Sequence, residues 1–276
     1  MLQNKELFKI SYTKLSTFRR CLQKYRWKYV EHYYPRSSIG QARGSAGHAA
    51  LAEWHKNYDE QKSLDTAWQK WSDDGFEQNE EWQLLENALT RYFPWSKTHD
   101  KFRIIRSEYK FEIEYELMHQ QKLFPILFEG YIDGVVKEND QIWLLENKFN
   151  KRISTKNLEL DAQVTLYLLA MFNMQKSVEG VIYNIVRVGN TKIAKKEPAV
   201  RVRLHRNKEG LARVQKEILL QTIAMINFEN GGEFYRNPTR NCSWDCPFYQ
   251  ACLSMQDDSL EPKHLLEQAC YIRKDS

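Results

Sequence analysis

The hydrophobic pattern of this chain changes its period near residue 100, and this change restricts the possible folds more than any other feature. In the first hundred residues apolar side chains recur at helical spacing, as Leu15 and Phe18 do. We therefore predict mainly helices there, the first over residues 13–34 and the second over residues 44–58. The tryptophans and leucines spaced between residues 68 and 89 predict two more helices.

Short runs typical of β-strands follow this helical region. Apolar and charged residues alternate over residues 111–115, which is the period of a half-buried strand. The other predicted strands are residues 131–136, 142–145, 178–188 and 199–204, and the other predicted helices are residues 156–174 and 208–228. This order of elements is typical of a mixed central sheet flanked by helices, so we expect the α/β class.

Length and composition bound the class of protein. The chain has 276 residues, of which 42% are hydrophobic and 28% charged, as in folded globular proteins. We expect a single domain with a mainly helical region at 1–100, a core at 101–230 and a cysteine-rich tail at 231–276. No apolar run is long enough to span a membrane, and the first ten residues lack an export signal, so we expect a cytoplasmic location.

Two carboxylates and a lysine lie in neighbouring predicted strands. Asp133 belongs to one strand, and Glu146 and Lys148 end the next. Residues two apart in a strand face the same side, so Glu146 and Lys148 project together. Carboxylate oxygens bind hard divalent cations that activate water, and an ammonium group can orient that water, as phosphodiester hydrolysis requires. A solvated surface pair is the alternative, but these charges end the apolar run 142–145, where an unpartnered charge is costly.

The segment 130–148 resembles the core motif of the PD-(D/E)XK nuclease superfamily, with Asp133, Glu146 and Lys148 in its signature positions. Two flanking motifs resemble the RecB-like branch of that superfamily. They are G-x-x-x-H-x-x-L over residues 44–51 and Q-x-x-x-Y over residues 163–167. The motifs occur in the expected order over nearly the whole chain, and the resemblance implies a restriction-endonuclease-like α/β core.

The resemblance also implies roles for individual residues. The implied ligands of Mg²⁺ or Mn²⁺ are His48, Asp133, Glu146 and the backbone carbonyl of Asn147. Lys148 would position the attacking water. Gln163 and Tyr167 are four residues apart and therefore share one helix face, from which they would order the site and the DNA. The implied activity is that of a DNA nuclease, an exonuclease on single-stranded or end-bearing DNA that leaves 5′-phosphate ends.

Three cysteines near the C-terminus are spaced to surround one metal centre. Cys242, Cys246 and Cys252 supply three thiols, whereas zinc and iron–sulfur clusters ordinarily take four ligands. Cys21 and Cys270 are the candidates for the fourth position. An odd number of cysteines without an export signal argues against a disulfide framework.

The spacing of Cys21 and the C-terminal triplet resembles the iron–sulfur staple of RecB-like nucleases, such as the AddB nuclease domain and the CRISPR-associated exonucleases. Their first cysteine lies in an S-x-x-x-L-x-x-F-x-x-C helix like residues 11–21. The resemblance thus implies a [4Fe–4S] cluster held by Cys21, Cys242, Cys246 and Cys252, which joins the two ends of the chain. Zinc is the alternative at this site.

Two other functional classes remain open from the sequence. The chain could be a non-catalytic nucleic-acid-binding or recombination-accessory protein of the same fold, although the intact carboxylates and lysine argue against it. It could also be a zinc-stapled interaction module. The net charge of +5 and the basic and aromatic residues interleaved over residues 19–28 are compatible with DNA binding. A solvated helix face is the ordinary explanation for that basic segment.

Overall fold

The structure is a computed structural model, and it describes residues 7–119, 121–189, 196–257 and 260–272. The chain forms two compact units. The carboxylate unit consists of Ser37–Ile113 and Glu129–Gln215, and the cysteine unit consists of Met1–Arg36, Glu114–Phe128 and Lys216–Ser276. Each unit is built from segments that are distant in sequence, and the single-domain interpretation stays a prediction.

The secondary structure alternates between helical and extended segments. The strands are β1 (Phe8–Ile10), β2 (Tyr33–Pro35), β3 (Arg103–His119), β4 (Lys122–Glu138), β5 (Gln141–Asn150), β6 (Gly180–Arg187), β7 (Ala199–Leu204) and β8 (Cys270–Ile272). The helices are α1 (Tyr12–Arg20), α2 (Leu22–Tyr25), α3 (Ile39–Asn57), α4 (Glu60–Asp73), α5 (Glu80–His99), α6 (Ala162–Asn173), α7 (Lys208–Glu229), α8 (Cys242–Asp245), α9 (Tyr249–Asp257) and α10 (Pro262–Ala269). A π-helical turn covers Arg26–Val30 and a 3-10 turn covers Leu158–Leu160.

A mixed sheet forms the centre of the carboxylate unit. The strand β3 pairs with β4, and the order then continues through β5 and β6 to β7. The pair β5–β6 is parallel, whereas β4–β5 and β6–β7 are antiparallel. Helix α3 packs against β5, and helices α5 and α6 pack against β6. The predicted α/β class, with a mixed sheet flanked by helices, is therefore confirmed.

Aromatic side chains fill the helical side of the carboxylate unit. Trp54 of α3 stacks on Phe93 of α5 with ring centroids 4.5 Å apart, and Trp71 of α4 lies beside Trp82 of α5. These four side chains are buried in one cluster that also contains Phe149 of β5. Burying each aromatic side chain contributes about 2 to 3 kcal/mol, so this packing fixes α3 on the sheet.

The cysteine unit has its own small core. Strand β1 pairs in parallel with the first part of β4, and β2 pairs with β8 in an antiparallel ribbon. Trp27, Tyr33, Phe248 and Leu266 form a buried cluster beside this ribbon. Within the part of the chain that the structure describes, no helix has the length and apolar character required to cross a membrane.

The first helix differs from its prediction over residues 13–34, because it is interrupted at Cys21. This residue is extended, with φ −164° and ψ 120°. The side-chain amide of Asn237 donates to the carbonyl oxygen of Arg20 at 2.9 Å, and the Asn237 N–H donates to Cys21 Sγ at 3.4 Å. These tertiary hydrogen bonds satisfy groups that a continuous helix would have used, so α1 ends at Arg20.

The sixth helix starts at Ala162 rather than at residue 156. Asp161 is its N-cap, and one carboxylate oxygen accepts hydrogen bonds from the N–H groups of Gln163 and Val164. Capping of this kind fixes the first turn of a helix. The later start therefore places Gln163 in the first turn of α6.

Candidate functional site

The strands β4 and β5 separate where the candidate carboxylates begin. Their paired register runs from Glu138↔Gln141 to Gly134↔Leu145. Beyond that point the Asn147 N–H donates to Asp133 Oδ2 at 2.6 Å. A side-chain carboxylate therefore takes the place of a backbone acceptor, and Asp133 is held at the edge of the ladder.

Helix α3 brings His48 to Asp133. The preceding residue, Gly47, faces the ring of Phe149 on β5, and a Cβ atom there would lie 2.5 Å from that ring. Glycine is thus required for this close approach, and it brings His48 Nδ1 to 3.1 Å from Asp133 Oδ1. Burial disfavours the charged imidazole, but the hydrogen bond and the charge of Asp133 outweigh it and raise the pKa of His48.

Glu146 is almost completely enclosed by the protein. Its exposed fraction is 1%, and burial raises the pKa of its carboxyl group to about 7, with a further contribution from Asp133. One oxygen, Oε1, accepts from Lys148 Nζ. The other, Oε2, has no hydrogen-bond partner among the described residues. A buried carboxylate oxygen without a partner is costly unless a cation occupies the space beside it.

Lys148 connects Glu146 to the two polar residues of α6. Its Nζ donates to Gln163 Oε1 at 2.9 Å, and Gln163 Nε2 donates to the Tyr167 hydroxyl at 2.7 Å. Burial lowers the pKa of Lys148, but the charge of Glu146 outweighs this effect and the net shift is upward. The ammonium group therefore stays charged beside Glu146.

The structure thus brings all the predicted residues of this site together, in two groups. His48, Asp133 and the Asn147 peptide form one group, and Glu146, Lys148, Gln163 and Tyr167 form the other. Among the described residues, no three His, Cys, Asp or Glu side chains are arranged as a ready metal site. The donor set nevertheless fits a hard divalent cation, because it offers an imidazole and carboxylate oxygens, one of which has no hydrogen-bond partner in the described part of the chain.

The cysteine unit contains a second candidate site. Cys21, Cys242, Cys246 and Cys252 all line one cavity of about 300 Å³. Cys270 does not line this cavity. It is buried in the apolar cluster beside β2, against which Cys246 and Cys252 also pack. Four thiols around one cavity are the donor set that a soft metal centre requires.

Polar hydrogens point at two of these sulfur atoms. The Asn237 N–H donates to Cys21 Sγ, and the Thr239 N–H donates to Cys242 Sγ at 3.3 Å. The Thr239 hydrogen bonds lower the pKa of the Cys242 thiol, whereas burial raises the pKa of Cys246. Hydrogen bonds to sulfur stabilise thiolate ligands in metal centres. The four cysteines thus share a cavity, but among the described residues they are not arranged as a ready metal site either, and the predicted cluster stays a prediction.

All three arginines of the basic segment 19–28 have intramolecular partners. Arg19 donates to Gln221, Arg20 pairs with Asp245 at 2.7 Å, and Arg26 pairs with Glu31 at 2.6 Å. These groups stabilise the cysteine unit, so they give little support to the predicted contacts with phosphate groups.

Two residues outside the predicted set of site residues lie near the carboxylates. Glu108 on β3 has a positive φ of 48°, which marks an irregular strand, and its raised pKa reflects loss of solvent and the charge of Asp133. Asn184 is fully buried on β6, opposite Asn147. Its signal in the sequence is a single amide inside the apolar run 181–186, where an unpartnered polar group would be costly.

Comparison with known proteins gives both sequence and structural matches. A sequence model of the PD-(D/E)XK nuclease superfamily matches residues 9–253. Among curated proteins there is no match. The structure of a protein from Eubacterium rectale named "Putative exonuclease" aligns over 86% of this chain and 93% of its own, with 11% sequence identity and a TM-score of 0.48. The crystal structure of SSO0001 aligns over 81% of this chain and 79% of its own, with 12% identity and a TM-score of 0.32.

Proposed function

The chain belongs to the PD-(D/E)XK nuclease superfamily, and on this premise we propose that it is a Mg²⁺- or Mn²⁺-dependent deoxyribonuclease. The observation that carries the proposal is the buried Glu146 carboxylate, which has one oxygen without a hydrogen-bond partner among the described residues and lies near Lys148 and Asp133. We assign the chain to the RecB-like branch and expect exonuclease activity on single-stranded or end-bearing DNA. Recombination, repair or processing of DNA are the roles that suit such an activity.

The residues that would hold the divalent cation are Asp133, Glu146, His48 and the backbone carbonyl of Asn147. When bound, the cation supplies Lewis-acid activation of water and offsets the charge of the phosphate. The Asn147 N–H already orients Asp133 through Oδ2 and leaves Oδ1 next to His48. The protein therefore fixes one carboxylate before any ion arrives, which lowers the cost of organising the site.

Lys148 would act on the attacking water. Its ammonium group bonds to Glu146 and is held from the other side by Gln163, which in turn bonds to Tyr167. A cation in this place orients a water molecule by donating a hydrogen bond to it and favours the hydroxide form. Hydrolysis would give a 5′-phosphate end, since water attacks phosphorus and the 3′-oxygen leaves with a proton.

We also propose that Cys21, Cys242, Cys246 and Cys252 bind a [4Fe–4S] cluster, with zinc as the alternative. The proposal is supported by the shared cavity and by the N–H groups directed at Cys21 and Cys242. Its role would be structural, because the ligands come from both ends of the cysteine unit. A redox function does not follow from this arrangement.

A nuclease assay tests the proposed activity directly. Single- and double-stranded DNA labelled at the 5′ or the 3′ end is incubated with the purified protein and Mg²⁺, Mn²⁺ or a chelator. We expect cleavage with either cation, products with 5′-phosphate ends, and no cleavage with the chelator. Tight DNA binding without cleavage in any cation would instead support the non-catalytic alternative. The order in which labelled ends disappear reports the polarity.

The role of Lys148 can be separated from that of the carboxylates. The variant Lys148→Met is expected to lower kcat about a hundredfold, the size of a lost proton-transfer or water-positioning group. The Mn²⁺ concentration that gives half-maximal activity should change little, because the proposed role of Lys148 is to orient the water and not to bind the ion. Lys151→Met is the matched control, since Lys151 follows three residues later and pairs with Glu81. A loss of Mn²⁺ affinity as large as that of a carboxylate variant would contradict this role.

A further inference from the structure

A row of polar side chains crosses the sheet of the carboxylate unit behind Asp133. In the paired register, Asn147 of β5 lies opposite Asn184 of β6, and Asn184 lies opposite Arg201 of β7. Asn184 Nδ2 donates to Asn147 Oδ1 at 2.8 Å, and Arg201 Nε donates to Asn184 Oδ1 at 3.2 Å. Because the Asn147 N–H donates to Asp133 Oδ2, the row reaches from β7 to the candidate carboxylate.

Asn184 is the central member of this row. Its exposed fraction is 0%, and its neighbours along β6 are apolar. Besides its bond to Asn147, Nδ2 donates to the Tyr92 hydroxyl at 3.0 Å, so its donor and acceptor atoms all have partners. An apolar residue would be simpler to bury at this position, whereas a buried amide is stable only when its partners are all present. The amide therefore has a specific task in holding its neighbours.

Arg201 anchors the far end of the row. Its guanidinium group pairs with Asp100 and donates to the Tyr92 hydroxyl at 3.1 Å. The same group lies 4.7 Å from the ring centroid of Trp95 and 5.2 Å from that of Phe102. A planar cation held by a carboxylate, a hydroxyl and two rings has little freedom to move. The end of the row that is farthest from Asp133 is thus rigid.

We propose that Asn184 is a positioning residue for the active site, acting through Asn147. Asn184 holds the Asn147 side chain and thereby fixes the Asn147 peptide, which orients Asp133. Glu146 and Lys148 are the residues on either side of that peptide. The inference rests on the proposed nuclease function. Its physical basis is that the β4–β5 register ends at Gly134↔Leu145, so Asn147 is held from the β6 side, by the β5–β6 ladder and by the Asn184 side chain. Displacements of about 1 Å in such a site can lower rates a hundredfold.

The substitution Asn184→Asp tests the link with little change of shape. The aspartate keeps the acceptor for Arg201 but loses both N–H donors of the amide, the one to Asn147 and the one to the Tyr92 hydroxyl, whose own hydrogen can turn toward the new oxygen. We expect a folded protein whose kcat, at saturating DNA and Mn²⁺, falls about ten- to a hundredfold. KM for DNA should change less than about twofold, because no member of the row is placed at the DNA. Calorimetry should show Mn²⁺ binding weakened about tenfold, as when a group that orients a ligand is lost.

A double-mutant cycle tests the route through Asn147. Asn147→Ala removes the acceptor but keeps the backbone N–H and carbonyl. Each of Asn147→Ala and Asn184→Ala should lower kcat, and the double variant should be no slower than the slower single variant. Additive losses would show that Asn184 acts independently of Asn147 and would overturn the inference. Wild-type kcat and Mn²⁺ affinity in folded Asn184→Asp would overturn it as well.

Ser96→Ala is the matched control for a merely structural role. Ser96 is fully buried, and its hydroxyl group accepts from Trp54 Nε1 at 2.9 Å and donates to the Phe93 carbonyl oxygen at 2.9 Å, neither of which belongs to the polar row. We expect it to lower the melting temperature while kcat and Mn²⁺ affinity stay at their wild-type values. If it lowered kcat as far as Asn184→Asp does, loss of stability alone would explain both effects. Absence of cleavage by the wild type would refute the proposed function, whereas cleavage that is insensitive to Asn184→Asp refutes only the positioning role.

Discussion

Replacement of Glu146 by glutamine is expected to lower kcat at least about a thousandfold, which corresponds to roughly 4 kcal/mol of transition-state stabilisation. The amide keeps the shape of the carboxylate but is a poor ligand for a divalent cation. Asp133→Asn should have a similar effect, since the proposed site needs both carboxylates. The measurement is single-turnover cleavage of end-labelled single-stranded DNA at saturating Mn²⁺.

The fold should survive this substitution. Glu146 is buried and one of its oxygens has no hydrogen-bond partner among the described residues, so removal of its charge also removes a desolvation cost. Loss of the pair with Lys148 opposes this gain. The melting temperature of Glu146→Gln should therefore stay close to that of the wild type, and DNA binding measured by fluorescence anisotropy can persist.

Glu138→Gln is the control for loss of a buried carboxylate in the same sheet. Glu138 belongs to β4, as Asp133 does, and it pairs with Arg203 at 2.6 Å. Its substitution removes one buried negative charge and disturbs an ion pair, yet it lies outside the proposed metal ligands. We expect cleavage close to the wild-type rate. Near-wild-type turnover in the carefully purified double variant of Asp133 and Glu146 would refute the assigned site.

The carboxylate site was predictable because its chemistry is encoded locally. Glu146 and Lys148 are two apart in a strand, which fixes their common side without knowledge of the fold. Gln163 and Tyr167 are four residues apart in a helix, so their side chains share one face of it. The contacts between the strand pair and the helix pair are tertiary. The order of the motifs along the chain, which resembles that of the nuclease superfamily, nevertheless suggested these contacts.

The parts that were missed depend on contacts between distant segments. The interruption of the first helix at Cys21 results from hydrogen bonds with Asn237, which no local pattern announces. The polar row through Asn184 requires the neighbours of β6 to be known, because periodicity describes one strand and not the order of strands. Propensity and spacing predict elements well where burial follows the local pattern, and tertiary partners override them elsewhere.

The cysteine unit gives the second large expected effect. Protein purified without oxygen should be brown, with absorbance near 400 nm and about four irons per chain if the cluster is [4Fe–4S]. Replacement of Cys21, Cys242, Cys246 or Cys252 by serine should remove the colour, because all four line one cavity. Cys270→Ser should keep it, since Cys270 does not line that cavity. Cys270→Ser is thus the matched control for loss of a thiol.

The stability of the protein should fall together with the cluster. A bond set from Cys21 to the C-terminal triplet closes a loop of roughly two hundred residues, which removes about 5 kcal/mol of unfolded-state entropy in the simple chain model. That is comparable to the whole stability of many domains. Cys21→Ser should therefore expose the ends of the chain to protease and lower nuclease activity indirectly, with Asp133 and Glu146 unchanged in sequence.

Limited proteolysis and iron content, measured on the same anaerobic preparations, decide between the possible outcomes. Loss of iron and rapid digestion in Cys21→Ser, with both unchanged in Cys270→Ser, is the expected result. Full iron content in Cys21→Ser with loss in Cys270→Ser would show that Cys270 is the fourth ligand. A colourless wild type with one equivalent of zinc would replace the cluster by a zinc staple, because the same four thiols suit that ion. The proposed active site would then be unaffected, since its carboxylates belong to the other unit.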